Sequence, residues 1–453
     1  MDRVIGKRIV LFSGWYYPDS VGGTETYVCH LGKELQNFGW QVFVAAPSSD
    51  DKEHRYVHEG LSVYRYPISL NPSRQELRGT SAPEYLDIFR NWIKDIKPDI
   101  AHFHSRTRGC GSYHVAVLKQ LDIPLVLTIH AADFMCVAGT ARLWGVSPCD
   151  GKVNEYRCTA CWLKNRGVPL WWLAWLSSRT PIVLMDSLGS VRGRLGTFFS
   201  MRKIFMQRYE REKVLLSYFS RIIVVAKWLY KVLRINNINE EKLYYCRHGI
   251  SKGNSVRESE NKPHTQGKIR IGFVGRFNPV KGIHTLIKAV RKLPQRIGIE
   301  LEIYGRVNFK EEEVYLKRLM HLSRGDHRIE FCGELNGENY AKAMSGFDII
   351  AVPSIWLETG PYIILEAFLA GIPVIGSNLG GIAELVTHNL NGMLVKPDNV
   401  REWSRVLAWI YNHPQVLNTW ARHIPGVRSS KEVAEEMNSL YLDVLAKTHK
   451  TIA

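Results

Sequence analysis

Short apolar runs alternate along this chain with stretches in which apolar side chains recur at helical spacing. In the first half, Ile9–Phe12, Val42–Ala45, Ile100–Phe103, Leu125–Ile129 and Ile222–Val225 read as strands. In the second half, Ile269–Val274, Leu301–Tyr304, Ile329–Phe331, Ile349–Val352 and Val374–Ile375 do. Between them, Val28, Leu31 and Leu35 mark one amphipathic helix, and Leu286, Ile287, Ala289 and Val290 another. Strands that alternate with helices predict parallel sheets in an α/β protein. The polar stretch 251–264 has too few apolar side chains to build a core. It suggests a first domain at 1–252, a linker at 253–266, a second domain at 267–430, and a terminal helix and tail at 431–453. No internal repeat is visible.

Size and charge sharpen this picture. A chain of 453 residues is too long for one core and fits two domains of about 200 residues each. Sixty Lys and Arg against 43 Asp and Glu give a net charge of +17, which suggests an anionic surface or polymer as partner. No zinc-finger pattern or aromatic RNA-binding signature accompanies that charge, so nucleic acid is not expected. Bilayer phosphates or a polyprenyl diphosphate fit better. No segment approaches the roughly 18 apolar residues of a membrane span. The N-terminal residues lack a long apolar run with a cleavage signal. The expectation is a cytoplasmic protein with reduced thiols, peripheral at the inner face of the plasma membrane.

Two stretches in the second half carry candidate chemistry. Glu358 and Glu366 lie eight positions apart in a loop followed by a helix, with Pro361 suited to the first helical turn. The free amides in the stretch Thr359 to Tyr362, where Pro361 itself has no N–H, form a helix N-terminus, which with Gly360 attracts anions and hydroxyl-rich ligands. Upstream, the strand Ile269–Val274 ends at Gly275, followed by Arg276 and Lys281. Cations at the C-terminal edge of a parallel strand are where an open sheet places a ligand phosphate. Arg276 can fork two oxygens, and Lys281 acts as a point charge.

Together these stretches resemble the retaining family 4 glycosyltransferases, of the bacterial cell-surface polysaccharide type. The motifs that carry the resemblance are Val274-Gly275-Arg276-Phe277 with Lys281-Gly282, the Glu358/Glu366 pair, and Gly380-Gly381-Ile382-Ala383-Glu384-Leu385. The resemblance is close over about 220–400 and looser over 7–50 and 95–135. It implies the GT-B fold: two Rossmann-like parallel-sheet domains facing across a cleft, with the C-terminal helix crossing back to the N-terminal domain. It implies a nucleoside diphosphate sugar as donor, with Arg276 and Lys281 on the diphosphate and Glu366 on the ribose hydroxyls. Glu358 and the amides after it would face the donor sugar.

Gly22 and Gly23 lead from the first strand into a helix and leave room for a backbone to approach a phosphate. Alone, the pair reads equally as a turn; the resemblance sets this loop opposite the donor diphosphate. His130 ends a strand and could hydrogen-bond a substrate hydroxyl. The resemblance places it against the donor sugar or the reacting centre. His102 and His104 read as structure and cleft wall.

Cys136, Cys149, Cys158 and Cys161 fall within a segment inserted at about 131–180. Free thiols, two disulfides and an iron–sulfur cluster all fit that spacing; a structural zinc is the expectation adopted. Without a staple, such a segment would be a long unstructured insertion. The resemblance requires no cofactor for the chemistry. Next come Trp171, Trp172 and Trp175, and then a predominantly basic stretch at 179–213, a combination suited to a membrane interface.

The implied activity is transfer of a hexose, with retention at the anomeric carbon, to a glycan or a polyprenyl-diphosphate-linked acceptor. A nucleotide-sugar epimerase or phosphorylase on the same fold, or a non-catalytic sugar-nucleotide-binding membrane-surface protein, would carry many of the same residues.

Overall fold

In the computed structural model the chain divides into two compact units, Met1–Arg247 with Ser430–Ala453, and His248–Ser429. The residues described are 6–107, 109–168, 171–181, 183, 185, 194–251, 267–335 and 337–452. The linker expected at 253–266 lies outside them, as does part of the basic stretch after 179.

Unit 1 is built on an eight-stranded sheet. Its strands are β1 (Arg8–Phe12), β2 (Gln41–Pro47), β3 (His54–His58), β4 (Leu61–Tyr66), β5 (Ile100–Phe103), β6 (Leu125–Ile129), β9 (Arg221–Val224) and β10 (Leu243–Tyr245). They run in the order β10-β9-β6-β5-β1-β2-β4-β3. Every pairing is parallel except β3 with β4. Ile9 pairs with Val42 on one side and Ile100 on the other, and β1 is buried from Ile9 onward. Phe12 stacks on Phe103 with ring centroids 4.5 Å apart.

The helix Ser430–Ile452 packs on the helix Gly23–Asn37. Trp40 Nε1 donates to Asn438 Oδ1 at 2.8 Å, and Tyr441 Oη lies 2.5 Å from His102 Nδ1. The expected return of the last helix to the first domain is therefore observed.

The segment after β6 is not an unstructured insertion. A short helical turn at Ala132–Phe134 leads to the two-stranded hairpin β7 (Arg142–Leu143) and β8 (Ser147–Pro148), then to the helix Glu155–Asn165. Asn154 caps that helix by accepting from the Arg157 amide at 2.9 Å. Ala160, Trp162, Leu163, Ala174, Met201 and Phe205 form its own small core. Apolar burial contributes order to this segment.

Unit 2 holds a six-stranded parallel sheet: β11 (Ile269–Val274), β12 (Ile299–Tyr304), β13 (Ile329–Gly333), β14 (Ile349–Val352), β15 (Val374–Ser377) and β16 (Gly392–Val395). The order is β13-β12-β11-β14-β15-β16. Strand order reverses between β11 and β14 here, and between β1 and β5 in unit 1. At such a reversal the two loops leave toward opposite faces and open a crevice at the carboxyl ends of the strands. Among the described residues no helix is long and apolar enough to cross a membrane.

Candidate functional site

In unit 2 the loops after β11 and β14 are laced together at the strand-order reversal. Asn278 accepts from the Val280 amide at 3.1 Å and starts the short turn Pro279–Lys281. Gly282 follows at φ +70°, and a Cβ there would lie 2.0 Å from the Pro353 carbonyl oxygen. Only glycine allows this left-handed turn at that approach. The Ile355 amide then donates to Val280 O at 2.8 Å.

This lacing brings Lys281 to Glu358 across 77 positions, with Nζ donating to Oε1 at 2.7 Å. Ser354 Oγ donates to the same oxygen at 2.8 Å. Burial pushes the Glu358 carboxyl up, but Lys281, Trp356 and Ser354 outweigh it and hold the pKa below the ordinary value. Glu358 is therefore a buried carboxylate kept charged by its partners.

Glu366 differs. It lies on the helix Tyr362–Leu369 beside Tyr340, and burial raises its pKa although the Tyr340 hydroxyl pulls the other way. Arg276 is exposed at the edge, with no side-chain ion pair among the described residues. The structure thus joins Lys281 and Glu358 directly, sets Glu366 in an apolar setting, and leaves Arg276 open to solvent.

Pro361 is the residue before the first helical turn rather than inside it. Its ψ of 128° is extended, and the helix begins at Tyr362. Gly381 packs on the Thr359–Gly360 peptide: its amide donates to Glu358 O at 2.7 Å, and a Cβ there would lie 2.6 Å from Gly360 N. The Gly380-Gly381 motif therefore shapes the Glu358 loop from behind. His248 faces the same loop, with its ring 5.2 Å from Tyr362. Ser354, Trp356, Tyr340 and His248 were not singled out from the sequence. Only Ser354, four positions before Glu358, carried a local signal.

In unit 1 the corresponding edge carries rings. His130 Nε2 lies 3.3 Å from His104 Nδ1, and the Tyr27 ring centroid is 5.0 Å from that of His130. His104 therefore belongs with His130. His102 is structural: it is fully buried between Tyr441 and Thr128, and burial holds its pKa well below the usual imidazole value. Gly22 precedes the helix Gly23–Asn37 at φ −158°, an extended conformation open to any residue. Ser20 and Glu25 close this loop through a 2.7 Å hydrogen bond.

All four cysteines of the inserted segment are free thiols of intermediate exposure. Among the described residues, no three His, Cys, Asp or Glu side chains stand in metal-holding geometry.

Residues 255–424 match the family described as glycosyl transferases group 1, and residues 22–156 match the glycosyl transferase 4-like domain. The chain is similar to a GDP-mannose-dependent alpha-mannosyltransferase of Corynebacterium glutamicum, 23% identical over 461 residues, covering 99% of this chain and 92% of the relative. It is 31% identical over 210 residues to an uncharacterized glycosyltransferase of Methanocaldococcus jannaschii, covering 44% of this chain. That match spans about half the relative's length, 51%.

Among solved structures it resembles sucrose-phosphate synthase from Thermosynechococcus elongatus, with a TM-score of 0.67, 19% identity and coverage of 97% and 100%. It also resembles HepE from Anabaena in complex with UDP and glucose, with a TM-score of 0.63, 13% identity and coverage of 95% and 98%. At these identities the structural likeness establishes the fold.

Proposed function

The chain belongs to the family 4 glycosyltransferases of the GT-B fold, and from that premise we propose that it moves a hexose from a nucleoside diphosphate sugar to a hydroxyl of a glycan or lipid-linked acceptor, with retention at the anomeric carbon. The Lys281–Glu358 pair at the strand-order reversal of unit 2 carries this reading. The relatives named for GDP-mannose and the neighbour crystallised with UDP and glucose agree with such a donor.

The hard step is breaking the bond between the anomeric carbon and the diphosphate. Negative charge builds on the leaving oxygens, and fixed positive groups aimed there lower the barrier, with one well-placed donor worth roughly 3–4 kcal/mol. Arg276 is free to fork the diphosphate, and Lys281 adds charge that Glu358 holds in place. Gly275 leaves room for the phosphate beside the strand end. Glu366 takes the ribose hydroxyls, its raised pKa falling once those hydroxyls donate to the carboxylate. Thr359, Gly360 and the amides around Tyr362 face the sugar. In unit 1, Gly22 and Gly23 offer backbone to an anion, and His130, held by His104 and Tyr27, orients a hydroxyl. Arg276 and Lys281 carry the charge that a metal would otherwise supply.

The test is a panel of UDP-, GDP- and ADP-sugars with pure protein. Nucleoside diphosphate release that grows with added acceptor is expected. Silence across every donor, in binding and in turnover, removes the reading.

An anionic bilayer at the inner face of the plasma membrane is the proposed setting for the acceptor. Trp172, Trp175 and Leu176 are exposed on one short helix, with the Arg179 guanidinium 4.8 Å from the Trp175 ring centroid. Rings beside cations suit a headgroup layer. Flotation with liposomes should require anionic lipid and weaken with salt; equal flotation on neutral vesicles would count against it.

A further inference from the structure

Arg106 lies two positions after His104, in the loop that follows β5. Its side chain is largely buried, with 16% exposed. One prong of the guanidinium, Nη1, donates to Glu212 Oε1 on the helix Arg194–Ser217. The other, Nη2, donates to the Asp133 carbonyl oxygen at 3.1 Å, in the turn that follows β6. The Phe134 ring centroid lies 5.2 Å from the guanidinium carbon. One side chain therefore joins three elements: the loop after β5, the turn after β6 and a long helix. The loop and the turn both start at the paired imidazoles. His104 is two positions before Arg106, and His130 is three before Asp133.

The division of the fork argues against a role in stability. A guanidinium binds a carboxylate most strongly when both oxygens are taken. Here only Oε1 is used. Among the described residues, Glu212 Oε2 and Arg106 Nε are buried without a hydrogen-bond partner. Burial raises the Glu212 pKa, although Arg106 and Arg208 pull it down, so the cost of leaving water is not fully offset. Two apolar side chains of similar volume would hold the fold as well or better. What the divided fork supplies instead is a fixed spacing between two loops, and the imidazoles need one. His104 Nδ1 and His130 Nε2 are 3.3 Å apart, long for a hydrogen bond, and Tyr27 meets the His130 ring at 5.0 Å. A shift of about 1 Å in either loop would part them, and a displacement of that size can cost on the order of 100-fold in rate.

We propose that Arg106 is a positioning residue: by bridging Glu212 and the Asp133 carbonyl it fixes the spacing of the loops after β5 and β6, and so holds His130 at the angle at which it orients a substrate hydroxyl. This role rests on the one given to His130 in the transfer reaction. Arg106 acts through the imidazoles and not on the donor diphosphate, so its loss should lower turnover and leave donor affinity alone.

Two full-length variants separate position from stability. R106K keeps a charge beside Glu212 but has no fork to hold Asp133 as well. R106M/E212M replaces the pair by apolar side chains of similar length. Both should fold, the double variant with a urea midpoint at or above that of wild type. With the sugar nucleotide that the donor panel selects, each should lose about 10- to 100-fold in kcat while the donor Kd from calorimetry stays within about twofold. Independently of turnover, the imidazole NMR signals of His104 and His130, assigned with H104Q and H130Q, should move in both variants, while that of His413 in unit 2 should not. Wild-type kcat in either variant, an equal loss in kcat and donor affinity, or unmoved His104 and His130 signals would each overturn the role. Should the double variant fail to fold, R106K decides by the same readouts. Should no sugar nucleotide be turned over, the proposed function fails, and the imidazole signals still decide whether Arg106 sets the pair.

Discussion

At the C-terminal edge of the second sheet, the loops after β11 and β14 present charge: an exposed Arg276, and Lys281 held against Glu358 at 2.7 Å. At the same edge of the first sheet, the loops after β5 and β6 present rings: His104 and His130 3.3 Å apart with Tyr27 beside them. Both edges lie where strand order reverses, so topology alone does not tell them apart. Their side chains do. The guanidinium of Arg276, unpaired among the described residues, suits a diphosphate, whose repulsion must be balanced. Imidazole and phenol suit hydroxyls, which need direction more than charge.

The sharpest way to break this contrast is to remove Glu358 while keeping its shape. Glu358→Gln leaves a cation without its buried partner and should cost roughly 3–5 kcal/mol of folding stability near neutral pH. Urea unfolding measures it, and an unchanged midpoint would mean the pair contributes nothing. Because the folded pKa is lowered, the Glu358 contribution is present above the ordinary value of 4.5 and is lost as pH falls through the folded value. The variant should therefore lose part of the acid dependence seen in wild type.

Arg276→Ala should cost about 2–4 kcal/mol in kcat/KM with stability unchanged, since the side chain is exposed. Unaltered turnover would show that the open cation faces no leaving group.

On the ring side, Tyr441→Phe removes the partner of a buried imidazole and should cost about 1–2 kcal/mol of stability. Activity at saturating substrates should stay near wild type. A large loss of kcat would move His102 from support to chemistry.

A small effect on stability is expected at Glu366, and its sign matters. A raised folded pKa contributes stability only below 4.5, which is lost as pH rises through the folded value, so at neutral pH the charged form is a cost. Glu366→Gln should thus keep or slightly raise the midpoint while weakening donor affinity. A clear destabilisation at pH 7 would show that the two acids are not opposites.

The central strands were legible because apolar residues dominate each, even where β11 carries Arg270 and β12 carries Glu300 and Glu302. Three of the missed strands depart from that pattern for physical reasons. β3 is a polar edge strand with three of its five residues exposed. β4 contains Arg65, which breaks the apolar run yet is buried, donating to Pro47 O at 2.9 Å and pairing with Asp19 at 2.7 Å. β16 opens on a glycine. In the site, the motif residues were readable one by one, but the bond between Lys281 and Glu358 was not. It depends on Gly282 meeting Pro353 backbone to backbone, which no local pattern encodes. Tyr340 and His248 come from distant segments and carried no sequence signal.

The helix Ser430–Ile452 has a consequence for how the protein is made. Trp40 and His102 belong to the first strands' neighbourhood, yet their hydrogen-bond partners Asn438 and Tyr441 are translated 398 and 339 positions later. Unit 2, whose ends meet where Ile250 N donates to Arg428 O at 2.9 Å, is complete before that helix leaves the ribosome. The half of the molecule that is synthesised first is the half that matures last.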